Sequence, residues 1–83
     1  MNRPSTLDLN TYSGRFAANL LKLRTKSKMT GQQAAAAIEE HGYALKWRTY
    51  FSWELGEREP PLDALPAIAA AFGVSIRSLF PME

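Results

Sequence analysis

Phe16, Leu20 and Leu23 return at helical spacing, with Leu21 on their flank, between stretches of polar residues. Ser13 is a good N-cap and the last turn is basic, as a helix C-terminus prefers, so the pattern predicts a first helix starting near Ser13. KSKMT breaks the period. Thr30 followed three residues later by Gln33 has capping-box spacing and opens AAAAIEEH, a strong helix former that Gly42 stops. Four consecutive alanines make a face with almost no side-chain thickness, so this second helix is expected to pack closely on a neighbour. LKWRTYFSWELG reads as a third helix closed by Gly56. Tyr50 and Trp53 share a face with Lys46, whereas Trp47 and Phe51, four apart, lie on the adjacent one.

A fourth helix is expected over residues 61–72, with Leu62, Leu65, Ile68, Ala69 and Phe72 inward and Gly73 as its stop. Pro66 should remove one intrahelical bond there and bend or delay the first turn. Ser75 then caps a short fifth helix with Ile76, Leu79 and Phe80, ended by Pro81. Residues 1–11, with Pro4 and scattered small polar residues, show no sustained period and read as a flexible N-terminal arm before a single domain over 12–83. The pattern therefore predicts an all-α chain of five short helices, without strands or internal repeats.

Composition narrows the class. An 83-residue chain leaves room for one small domain and excludes a large enzyme. Without Cys there is no disulfide framework, Cys-based zinc site or thiol nucleophile, and His41, the one histidine, cannot build a metal site alone. No metal and no cofactor is expected. No segment reaches the roughly 18 apolar residues a membrane span needs, so a cytoplasmic protein without membrane contact is expected. Charge is uneven: residues 1–50 carry +5 and residues 51–83 carry −3. Such a split suggests one positive face suited to a polyanion.

A capped Thr, a small-residue helix, a Gly-containing turn and a following helix make a helix-turn-helix candidate. Downstream, Trp53-Glu54-Leu55-Gly56, then Pro60, then LPAIAAAFGVSIRSLF resembles the Cro and phage-repressor family of DNA-binding domains, with the lambda-repressor-like fold. Leu65, Ile68, Ala69, Phe72, Gly73, Val74, Ser75 and Leu79 fall at the family's gaps, and the likeness covers about residues 14–80. It implies that Arg24, six residues before Thr30, pairs with Glu54 and pins helix 1 to helix 3.

Two departures lie where function would be read. The family usually has Gln directly after the helix 2 Thr to touch a phosphate; this chain has Gly31 there, followed by Gln32 and Gln33. The interval from Ala35 to Glu54 is 19 residues, about five more than the family's, and the surplus is expected as an extra turn through Glu39 to His41 plus a longer turn around Gly42 to Ala44. Counting back from Glu54, the resemblance makes Tyr50 and Trp53 the buried positions and presents Lys46, Trp47, Arg48, Phe51 and Ser52 to a major groove. Arg48 is the best base reader, since a guanidinium contacts guanine bidentately, worth about 1–3 kcal/mol of discrimination. At least one of Trp47 and Phe51 is expected to pack on the protein or form an interface, because an aromatic ring cannot satisfy base-edge donors and acceptors. Backbone contacts are expected from Thr30, Gln32, Gln33, Lys26, Lys28 and Arg58, the last weakened by Glu57 and Glu59; Arg15 and Lys22 are further candidates. Asn2-Arg3-Pro4 is a candidate minor-groove arm.

The resemblance implies a sequence-specific regulator of double-stranded DNA, of the small phage or plasmid Cro or immunity-repressor type. A homodimer through the helix 4 to helix 5 region, with Val74, Ile76, Phe80 and Met82, or pairing only on DNA, is expected. The rival readings are a DNA-binding antitoxin and a protein-interaction adaptor that uses the aromatic helix 3 surface and the turn around Tyr43. An enzyme is not expected, since no paired carboxylates, Gly-rich phosphate loop or base beside a nucleophile emerges.

Overall fold

Thr11, in extended backbone, accepts a hydrogen bond from the Gly14 N–H at 3.0 Å, and α1 runs over Tyr12–Lys26. The computed structural model describes residues 8–81. Thr11 itself is anchored, donating its N–H and its hydroxyl to the Asp8 carbonyl at 3.0 and 2.8 Å. Ser13, the cap expected from the sequence, lies inside the first turn and its hydroxyl donates to Glu59 instead. Gly14 makes this entry possible: a Cβ there would lie 1.9 Å from the Asp8 carbonyl oxygen. Residues 8–11 thus form a capping turn and not the end of a free arm. The rest of the expected arm, with Arg3, lies outside the described residues.

α2 spans Gly31–Glu40, α3 Trp47–Glu54 and α4 Leu65–Phe72. A 3-10 turn over Leu62–Ala64 precedes α4, so Pro66 falls in that helix's first turn, where its missing N–H removes no bond. The expected start at residue 61 is corrected to 65. The expected fifth helix is a 3-10 turn over Ile76–Leu79, opened by Ser75 and followed by Phe80 in extended backbone. Five residues between the Ser75 cap and Pro81, the last of them extended, leave little length for an i to i+4 ladder. Among the described residues the fold is all-helical without a strand.

Leu20, Ile38, Tyr50, Trp53, Ile68 and Leu79 are fully buried and form the centre of the core. α2 lies between α3 and α4, and of its four alanines Ala34 and Ala35 face inward with Ile38 while Ala36 faces solvent. Their short side chains let the neighbouring helices approach. Phe16 packs on Phe80 at 5.3 Å between ring centroids. The Asn19 side-chain amide donates to the Ser78 and Leu79 carbonyls at 3.0 and 2.8 Å, tying the last 3-10 turn to α1.

The residues between α2 and α3 take a defined path. α2 continues to Glu40 with His41 as its C-cap, and Gly42 turns the chain at φ 108°. Tyr43 then comes back against Trp53 at 6.3 Å, and Leu45 packs on the core.

Candidate nucleic-acid interface

α3 is fixed to α1 by one side chain. Arg24 Nε and Nη2 donate to the two Glu54 oxygens at 2.6 and 3.1 Å, while Nη1 donates to the Met29 carbonyl at 3.0 Å. The Glu54 side chain is 6% exposed and that of Arg24 17%, so neither end has water as an adequate substitute partner. The hydrogen bond that Arg24 donates to Glu54 holds its guanidinium above its ordinary pKa. Beside this pair the Tyr50 hydroxyl is buried, and burial, reinforced by the Glu54 carboxylate, pushes its pKa far above the usual phenol range.

Phe51 and Gly31 explain each other. A Cβ at residue 31 would sit 2.0 Å from the Phe51 ring, so the ring occupies the space a side chain on the first turn of α2 would take. Trp47 meets Phe51 edge to face at 5.6 Å, and the Arg24 guanidinium lies 5.8 Å over the same ring. The glycine after Thr30 and the aromatic on α3 are one packing solution. Of the two aromatics, Phe51 is the half-buried one that packs on the protein, whereas Trp47 stays 42% exposed.

Thr30 and Gln33 are engaged with each other. The Thr30 hydroxyl accepts from the Gln33 N–H at 3.1 Å and the Gln33 side-chain oxygen accepts from the Thr30 N–H at 2.9 Å. Gln32 is exposed beside them and lines a cleft with Leu45, Lys46, Trp47 and Arg48, floored by Ala35 and Ala36. Lys46 is the N-cap of α3 through its backbone alone, with an exposed side chain. Arg48 is also exposed, its guanidinium 5.5 Å over the Trp47 ring. Ser52 is half-buried and donates to the Thr49 carbonyl at 2.6 Å, so its hydroxyl already has a partner in its own helix.

The structure thus brings Gln32, Lys46, Trp47 and Arg48 to one cleft and turns Phe51 and Ser52 toward the protein. Lys26 is exposed at the end of α1, and Lys28 follows at φ 61° in the turn before Thr30. Arg58 is exposed in the loop after α3 and does not line the cleft. The cleft floor and the seat for Phe51 were not read from the sequence. A glycine where a side chain is usual, with a bulky ring on the helix that packs there, was the available signal for the seat.

A helix-turn-helix family model matches residues 20–79, most of the chain. The chain belongs to this family, of the lambda-repressor type, and is a DNA-binding helix-turn-helix domain. No curated protein and no solved structure matches it. No helix among the described residues is long and apolar enough to cross a membrane.

Proposed function

We propose that the protein is a cytoplasmic, sequence-specific transcriptional regulator that occupies operator DNA through the N-terminal end of α3, in the manner of a small Cro or immunity repressor. The observation that carries this reading is the shared cleft of Gln32, Lys46, Trp47 and Arg48, where α2 and α3 present amide, ammonium and guanidinium donors together. Arg48 reads a guanine edge, and Lys46 contacts a base or a phosphate. Gln32 and the α2 N-terminus meet the backbone, with Thr30 and Gln33 shaping that end and Lys26 and Lys28 adding charge. Trp47 supports Arg48 and packs on a thymine methyl. Repression requires only that the domain exclude polymerase from a promoter, and two copies reading a symmetric site supply the length of an operator.

Selection from a random duplex pool at physiological salt tests this, because phosphate contacts alone give salt-sensitive binding without a motif. The expected result is a palindromic motif with half-sites about one helical turn apart, lost in Arg48→Ala. An unenriched pool overturns it and favours a protein partner on the exposed Trp47.

A further inference from the structure

A row of side chains runs outward from the core to the candidate interface. Tyr50, fully buried, meets the Phe51 ring at 6.1 Å, Phe51 meets Trp47 at 5.6 Å, and the Arg48 guanidinium lies 5.5 Å over the Trp47 ring. Phe51 is the joint of this row. Its ring fills the space that a side chain at residue 31 would take, and Arg24, itself fixed by both Glu54 oxygens, stands 5.8 Å over it. Exposure rises along the row, from the enclosed Tyr50 through the half-buried Phe51 to the exposed Trp47 and Arg48, so the outer pair is steadied from the inside.

Two kinds of DNA contact ask different things of a cation. A phosphate is satisfied by a charge at hydrogen-bond distance, whereas a bidentate contact to guanine needs the guanidinium fork in the plane of the base. A free Arg gives up much of its rotamer freedom to take that pose, and one already laid on a ring has given up part of it before DNA arrives. We propose that Phe51 is a positioning residue for base recognition: through Trp47 it orients the Arg48 guanidinium, and so sets the discrimination for guanine without touching DNA. The inference rests on the reading of Arg48 as the guanine contact. Stacking of Trp47 on a base does not replace it in an intact duplex, whose major groove presents base edges and not base faces. Phosphate contacts by Lys26, Lys28 and the α2 N-terminus need no such support, so they are independent of the row. Gly31 acquires a role as well, because a side chain there would unseat Phe51 and loosen Arg48 through it.

The test titrates the full chain against the selected duplex, with its guanine either intact or replaced by 7-deazaguanine, which lacks one of the two acceptors a guanidinium takes. Fluorescence anisotropy at several salt concentrations gives both the preference for guanine and the salt slope. The unaltered chain should prefer guanine about tenfold, and Arg48→Ala should abolish the preference. Phe51→Leu and Trp47→Leu should each cut it to about threefold or less, whereas Trp47→Tyr, which keeps a ring under the guanidinium, should retain it. In Phe51→Leu the salt slope should be unchanged and the affinity for an unrelated duplex should stay within about twofold. Trp47 is exposed, so Trp47→Leu should keep the fold, with helicity checked by circular dichroism. Gly31→Ala combined with Phe51→Leu relieves the clash at the seat and should still discriminate poorly, which separates positioning from stability. A preference lost in Arg48→Ala but intact in folded Phe51→Leu overturns this inference alone. So does a Phe51→Leu chain that weakens equally on every duplex, since the whole interface has then shifted. A preference that survives Arg48→Ala overturns the reading of Arg48, and this inference with it.

Discussion

The chain enters α2 and leaves it by different means. At the entry, Lys28 N–H donates to the Thr25 carbonyl at 3.0 Å, Met29 N–H to the Arg24 carbonyl at 3.3 Å, and Thr30 and Gln33 close the capping box. Arg24 then takes the Met29 carbonyl while holding Glu54, so the entry is fastened to α3 as well. At the exit, Gly42 and Tyr43 donate back to the Glu39 and Ile38 carbonyls, but the path onward rests on Tyr43 against Trp53 and Leu45 against the core. The entry is specified by polar pairs a few residues apart, the exit by packing of aromatic and aliphatic surface.

The largest test of this contrast is Glu54→Ala, which strips Arg24 of its carboxylate and should cost about 3 kcal/mol, read from the urea midpoint at unchanged slope. A loss below about 1 kcal/mol would mean that backbone bonds alone hold the entry. Next, Gly31→Ala should cost about 2 kcal/mol by forcing the Phe51 ring from its seat, and adding Phe51→Leu should recover at least half of that loss. Ala44→Ser, a change of similar size on the exposed exit path, should cost less than about 0.5 kcal/mol. If the two positions respond alike, the contrast fails. One modest effect has the opposite sign: Lys28 adopts φ 61°, so Lys28→Gly should gain about 0.5–1 kcal/mol and raise Tm by a few degrees.

Features carried by short spacings were legible in the sequence. The order of the helices, the Thr30 and Gln33 box and the shared face of Tyr50 and Trp53 all follow from residues within two turns of one another, whereas that this face is the buried one came from the family resemblance. Arg24 and Glu54 are 30 residues apart and came from family resemblance, not from periodicity. The start of α1 was misread because Thr11 and Ser13 are both competent caps, and only the fold of Asp8 across Gly14 selects the first. Asn19 was missed since its partners are backbone carbonyls near residue 79, which no side-chain pattern reveals. In the candidate interface, Trp47 and Phe51 share one helical face in the sequence; their separation into an exposed and a seated ring depends on the bare backbone of α2.

The Asn19 clasp also bears on how the molecule opens. The last 3-10 turn has few bonds of its own, with Ser78 N–H on Ser75 and Phe80 N–H on Arg77. An isolated turn of this kind would exchange its amide hydrogens almost freely, yet this one is held from outside by the first helix. Deuterium uptake at Ser78 and Phe80 should therefore keep pace with global unfolding, and Asn19→Ala should release these amides to exchange early while those of α2 remain protected.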